Sequence, residues 1–326
     1  MADKTQILVT GAAGFIGWNL TRELRSLHGD RAIITGVDNL WTGRRRKQEF
    51  VDTMVVHDCE TFWNGQQFDE VWHLASPASP NHYQSDPIRT AMGNVRGMLR
   101  ALELTKNCGS LLFTSTSEVY GDPIVSPQHE GYLGQVNCIG PRACYDESKR
   151  LSETLIFDWL RSHRHIPGFS MRAKVARLFN VYGPGTLPDD GRAVSNFITA
   201  ALGGEPVTVF GDGKQTRCFT YVDDVVGGLM RLMYQTPASF CGPMNLGTDR
   251  ETSVSEIARF VAWRVGEILR REIPVVHGPP VIDDPQQRRP DLALARRSIG
   301  WDPVVSYEAG ISRTIDWFRI ATKEGI

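Results

Sequence analysis

Apolar positions along the chain fall into two alternating patterns. Gln6–Thr10, Ala32–Val37, Met54–Val56, Glu70–Leu74 and Ser110–Thr114 are short, continuous runs rich in β-branched and aromatic residues. Runs of this kind suit strands covered on both faces of a parallel sheet. Between them lie stretches with helical spacing. One runs from Ile88 to Lys106, with Met92, Val95, Leu99 and Leu102 on one stripe, and another from Glu147 to about Arg164. Strand–helix alternation predicts an α/β fold built on a doubly wound parallel sheet of the Rossmann type.

The second half is less regular. Lys174–Phe179 reads as a further sheet strand, followed by a loop from Gly183 through Gly191. Helices are expected near Val194–Leu202, Asp223–Met233 and Val254–Leu269, and strands at Val207–Phe210, Pro243–Leu246 and Ile273–Val276. Gly278 to Pro290 gathers glycine, proline and charge and reads as a loop. The expected plan is a nucleotide-binding domain over 1–180, with segments of about 207–245 returning to it in part. A smaller, discontinuous lobe over 181–326 would form a cleft with it.

Composition narrows the function classes. The 326 residues carry 36 Lys+Arg against 37 Asp+Glu, a net charge of −1, which argues against a protein that coats nucleic acid. At 41% hydrophobic and 22% charged residues the chain reads as globular rather than disordered. No run of 18 apolar residues exists, so no membrane span is expected. The first residues pass straight into an apolar strand without signal-peptide character, and a cytoplasmic location is expected. The six cysteines form no Cys-x-x-Cys pair. His163 and His165 are two apart and point away from each other on a helix, so no metal site is expected.

The first strand runs into Gly11-Ala12-Ala13-Gly14-Phe15-Ile16-Gly17, a glycine-punctuated loop opening a helix. Gly11 permits the tight turn, Gly14 lets the backbone approach a pyrophosphate, and Gly17 allows close helix–strand packing. Asp38, twenty-one residues beyond Gly17, ends the next strand. A carboxylate there accepts hydrogen bonds from the adenosine ribose and repels a 2′-phosphate, which favours NAD over NADP. The run Arg44-Arg45-Arg46-Lys47 argues mildly the other way, or is a solvated face. Asp58 is a candidate for the adenine amino group or a surface carboxylate.

Tyr145 and Lys149 lie four apart, on one helix face. An ammonium near a phenol favours the phenolate, drawing the tyrosine pKa down from about 10, so that it can act as a general base on an alcohol. Thr114-Ser115-Thr116-Ser117-Glu118-Val119-Tyr120-Gly121 directly follows a sheet strand, where hydroxyls and a carboxylate would face a ligand. A turn cluster is the plainer alternative.

These pieces resemble the extended short-chain dehydrogenase/reductase family, which modifies nucleotide sugars. Trp72–Pro80, Thr116–Pro123, Gly140–Glu147, Asp190–Phe197 and Asp283–Asp291 are similar to its UDP-glucuronic acid decarboxylase (UDP-xylose synthase) branch, from about Thr5 to about Phe318. The resemblance implies bound NAD, with UDP-glucuronic acid as substrate. It adds Phe15, Ile16, Asn39, Thr42, Gly43, Leu74, Ala75 and Ser76 to the cofactor site. It gives Thr116, Ser117, Glu118, Tyr145, Lys149 and Arg288 to catalysis, with Arg288 orienting the glucuronate ring. Arg289 is ambiguous. Arg217 matches a pyrophosphate-binding position, and Asn180 and Arg192 match further substrate positions. Thr208 to Phe210 would line the uridine pocket, or form an ordinary strand. A homodimer through a four-helix bundle is implied, using the helices at Ile88–Lys106 and Glu147–Arg164.

The implied chemistry oxidises C4 of the sugar, so that the C5 carboxylate leaves beside a ketone, and then reduces C4 again. Tyr145 takes the 4-hydroxyl proton, Thr116 hydrogen-bonds O4, and Glu118 or Ser117, through a water, returns a proton to C5. The family's 4,6-dehydratases carry aspartate where Ser117 stands, and its epimerases lack the Glu118 carboxylate. A UDP-glucuronic acid 4-epimerase is the nearest rival, and a non-catalytic NAD-binding regulator a rival of another class. Departures occur at Met92-Gly93-Asn94, where the family often has Lys-Thr-Asn, and at Gly185–Asp190. They leave open whether the product is UDP-xylose or partly a released UDP-4-keto-pentose with NADH.

Overall fold

The computed structural model describes residues 3–44, 49–279 and 287–324. Its elements run in chain order as β1 (Thr5–Thr10), α1 (Phe15–His28), β2 (Ala32–Asp38), β3 (Thr53–Val56), β4 (Phe68–His73), α2 (Pro80–Tyr83), α3 (Pro87–Leu104), β5 (Thr105–Thr116) and α4 (Ala143–His163). There follow β6 (Arg172–Leu178), β7 (Val181–Tyr182), α5 (Ala193–Gly203), β8 (Val207–Phe210), β9 (Thr216–Arg217), β10 (Thr220–Tyr221) and α6 (Val222–Gln235). The last are β11 (Met244–Leu246), β12 (Thr252–Ser253), α7 (Val254–Leu269), β13 (Val275–Gly278), β14 (Gln287–Arg288), α8 (Ala293–Ile299) and α9 (Tyr307–Glu324).

Seven strands form the central sheet in the order β11-β6-β5-β4-β1-β2-β3. Ile7 pairs in parallel with Ile34 on one side and Glu70 on the other. Six of these strands reproduce the doubly wound Rossmann order, whose direction reverses between β1 and β4. The central strands are apolar in their middles because both faces are covered there: Ile7, Leu8, Val9, Ile34, Val71, Trp72, Leu111 and Leu112 are all fully buried.

Contacts divide the chain into two compact units. The first is Met1–Val119, Val136–Arg177 and Val226–Met244, and it contains nearly all of the sheet. Leu8, Phe68, Val71, Met98, Leu102, Leu111, Phe113 and Ile156 centre its core. The second is Tyr120–Gln135, Leu178–Val225 and Asn245–Ile326, where α5, α7 and α9 share a core with β8 through Ile198, Val209, Ile257, Val261, Ile315 and Phe318.

Several expected elements change in detail. The helix expected from Glu147 begins at Ala143, which brings Tyr145 into its first turn. The helix expected to reach Lys106 ends at Leu104, and β5 follows without a loop because Thr105 turns its hydroxyl back to the Ala101 carbonyl at 2.8 Å. The expected stripe on α3 coincides with its buried face only in part: Leu102 is buried and Val95 half-buried. Met92 and Leu99 are exposed, whereas Thr90, Asn94, Gly97, Met98 and Ala101 are buried. Small and polar residues win that face because α3 packs against α4 and meets it with a hydrogen bond from Asn94 to Ser148 at 2.9 Å. The expected loop at Gly278 to Pro290 contains the short strand β14, paired in parallel with β9. Among the described residues, no helix is long and apolar enough to cross a membrane.

Candidate active site

The glycine loop lies at the carboxyl end of β1, beside the loop that follows β4. Gly11 has φ +74°, and a Cβ there would sit 2.8 Å from the amide nitrogen of Ala75. A Cβ on Gly17 would lie 2.0 Å from the Gly11 carbonyl oxygen. Both positions therefore exclude any side chain. Gly14 caps α1, whose first residues are Phe15 and Ile16 and whose first turn carries no acidic side chain. An anion is favoured there by the dipole of the helix N-terminus.

Asp38 is buried at the end of β2. It accepts the amides of Ala13 at 3.1 Å and Leu40 at 2.8 Å. Burial raises its pKa above the ordinary carboxylate value, and these amides oppose the rise. Leu40 adopts a left-handed φ of +59°, which returns its amide to Asp38. A Cβ on Gly43 would lie 2.9 Å from the Asp38 carboxylate and would have to displace it. Thr42, between them, is half-buried. Asn39 donates to Asp58 at 2.5 Å, and Arg89 lies 3.7 Å from the same carboxylate and 4.3 Å from the Trp41 ring centroid. Of the run at Arg44–Lys47, only Arg44 falls within the described residues.

Leu74 donates its amide to the Thr10 carbonyl and Ala75 to the Thr10 hydroxyl. The buried Ser76 hydroxyl finds no hydrogen-bond partner among the described residues. A cradle that any Cβ would fill, a helix N-terminus, a buried ribose-type carboxylate and an unsatisfied hydroxyl together fit NAD.

On the same unit, Lys149 is buried on α4 and donates to the Thr114 carbonyl at 2.9 Å. Its Nζ lies 5.7 Å from the Tyr145 ring centroid and 4.7 Å from that of Phe113. Burial lowers its pKa to about 7, against the pull of Glu153. Thr116 closes β5, and its hydroxyl accepts the Glu118 amide at 3.2 Å. Ser117 is buried in the turn that follows. The Glu118 carboxylate is ion-paired with Arg142 at 2.6 Å.

Three contributors escaped the sequence reading. Arg142 stands three residues before Tyr145 and could have been found as the only arginine in that motif. Tyr83 stacks on Tyr145 from the short helix α2 and carried no spacing signal. Asn94, which follows the departures at Met92 and Gly93, supports Ser148, whose hydroxyl donates to the carbonyls of Cys144 and Tyr145.

The remaining candidates belong to the second unit. Arg217 and Arg288 are both buried and are register partners on β9 and β14. Two buried arginines at paired register positions suit the recognition of an anion such as a pyrophosphate or carboxylate. Arg289 lies 3.7 Å from Glu251. Arg192 caps α5 and forms a two-point ion pair with Asp190. Asn180 is half-buried, and its carbonyl accepts the Thr220 amide. Thr208 and Phe210 lie on β8, with Phe210 exposed beside Gly278. The motif residues Asp283–Gln286 lie outside the described residues.

The model of the NAD-dependent epimerase/dehydratase family matches residues 7–247. The chain is 44% identical over 325 residues to UDP-glucuronic acid decarboxylase 1 of Xenopus tropicalis, covering 97% of this chain and 73% of that one. Among solved structures, it resembles UDP-glucose 4-epimerase from Thermotoga maritima with UDP-glucose, at 29% identity and a TM-score of 0.81, covering 97% of this chain and 99% of that one. It also resembles MoeE5 in complex with UDP-glucuronic acid and NAD, at 27% identity and a TM-score of 0.76, with the same coverage. The chain belongs to the NAD-dependent epimerase/dehydratase family.

Proposed function

We propose that this protein is an NAD-dependent UDP-glucuronic acid decarboxylase that forms UDP-xylose. The observation that carries the reading is the turn Thr116-Ser117-Glu118 at the end of β5, on the unit that also carries Tyr145 and Lys149. A serine at 117 cannot act as the acid that expels a hydroxyl as water, which disfavours dehydration. The 44% identity to a curated decarboxylase supports the same choice.

NAD supplies a reversible hydride acceptor when bound. Tyr145 takes the proton of the sugar 4-hydroxyl, with Lys149 as ammonium favouring the phenolate. Thr116 donates to O4. With C4 a ketone, the C5 carboxylate leaves as carbon dioxide because the carbonyl takes up its electrons. The resulting enolate at O4 is stabilised by the Tyr145 proton and by Thr116. Glu118, alone or with Ser117 through a water, returns a proton to C5. Arg288 orients the glucuronate ring and Arg217 pairs with the pyrophosphate. The protein works as a homodimer, supported by the apolar Ile88, Met92, Leu99 and Leu151 that α3 and α4 leave exposed.

Incubation with UDP-glucuronic acid and NAD, followed by mass spectrometry and NADH absorbance, tests the reading. Loss of carbon dioxide to a UDP-pentose without net NADH is the expected result. A UDP-4-keto-pentose with accumulating NADH would mean an incomplete final reduction. An isomer of unchanged mass would replace the reading with a 4-epimerase.

A further inference from the structure

Helix α4 is fastened to the end of β5 at two points, one helical turn apart. Lys149 Nζ donates to the Thr114 carbonyl at 2.9 Å. Glu153, four residues on, accepts from Ser115 Oγ at 2.6 Å. Its two oxygens also hold Arg177 of β6, at 3.0 Å to Nε and 2.7 Å to Nη2. Glu153 and Ser115 are buried and the Arg177 side chain is nearly so. A buried ion pair is a poor source of stability, since apolar packing of the same volume often does as well or better. Its location is more informative: one turn past Lys149 and tied to the residue before Thr116.

We propose that Glu153 is a positioning residue for the Tyr145–Lys149 pair: with Ser115 and Arg177 it fixes the end of β5 against α4, and its carboxylate, one helical turn from Lys149, favours the ammonium form of that lysine. The inference rests on the proposed decarboxylase chemistry, in which that pair handles the proton.

The surroundings of Lys149 support this. From its own helix it has the Tyr145 ring beside it and feels the charge of Glu153 one turn on, and from β5 it meets the Phe113 ring and the Thr114 carbonyl. His73 of β4 also senses the lysine, and burial drives its pKa down to about 3, so it carries no charge. Cys59, the other group acting on Lys149, stays a thiol because burial pushes its pKa up to about 12. Arg177 stands behind Glu153. Glu153 is therefore the anion that supports Lys149 among the described residues.

The test compares wild type, Glu153→Gln and Ser115→Ala. It reads the pH dependence of kcat and, without substrate, the titration of Lys149 by 13Cε NMR of lysine-labelled protein. Glu153→Gln should lower kcat about tenfold or more with KM within about threefold. It should also move the alkaline limb and the Lys149 midpoint towards acid by about one unit. Ser115→Ala should lower kcat less and leave the midpoint in place. A wild-type Lys149 midpoint in Glu153→Gln would overturn the proposal, however far kcat fell. Should Glu153→Gln fail to fold, Glu153→Gln/Arg177→Met carries the same expectation and the same refutation. Wild type without turnover of UDP-glucuronic acid would sink the functional reading, while the NMR midpoint would still decide this one.

Discussion

The rings of Tyr83 and Tyr145 lie 7° from parallel with their centroids 5.1 Å apart. Tyr83 is buried, and its hydroxyl has no hydrogen-bond partner among the described residues. Its ring therefore serves as a wall that sets the plane of the Tyr145 phenol. Tyr83→Phe should unfold at or above the wild-type temperature, because it removes a buried hydroxyl without a partner. Tyr83→Ala should cost about 3–5 kcal/mol and lower turnover of the protein that remains folded. Thermal unfolding and active-site-normalised kcat check both.

Tyr145→Phe keeps the ring stack and removes only the phenol oxygen. It should bind NAD with near wild-type affinity by calorimetry while turnover falls by about 10²–10⁴. Substantial residual turnover would remove Tyr145 as the base.

The Glu118–Arg142 pair is about four-fifths buried, so breaking it from either side leaves a poorly solvated charge. Glu118→Gln should lower turnover about tenfold or more. Arg142→Met should act in the same direction, and Arg142→Lys less, since it keeps the charge but not the fork. Product assays by chromatography distinguish them, and unaltered turnover in Glu118→Gln would exclude Glu118 as the proton route.

His73 is buried, 2.8 Å from the Thr10 hydroxyl and stacked on Phe113, and burial lowers its pKa from 6.5 to about 3. Between those values the unfolded chain binds a proton that the folded protein refuses. Stability should therefore fall as pH drops from about 6.5 towards 3, by at most about 1.4 kcal/mol per pH unit from this group. His73→Gln should flatten the slope of denaturant midpoint against pH in that window. An unchanged slope would mean that other groups carry the acid sensitivity.

The exposed apolar side chains of α3 and α4 set a test of the dimer. Leu99→Glu with Leu151→Glu should yield a monomer by light scattering, with its circular dichroism preserved. A wild-type mass would place the interface elsewhere.

Much of this architecture is written locally. The β1–α1 turn can be read from Gly11, Gly14 and Gly17 because a missing Cβ has no substitute, and the structure shows the clashes that any side chain would meet. The seven-stranded sheet follows from apolar runs too short for helices, and Tyr145 and Lys149 share a face because helical geometry requires it. Partners distant in sequence were not legible. Which face of α3 is buried, that Arg142 holds Glu118, that Tyr83 backs Tyr145, and that Ser115, Glu153 and Arg177 meet were decided by packing. Each needs two or three segments brought together, and a side chain's burial and charge state depend on that company rather than on its neighbours in the chain. The same holds for Lys149: its identity and spacing belong to the sequence, but its depressed pKa exists only because the fold has removed it from water.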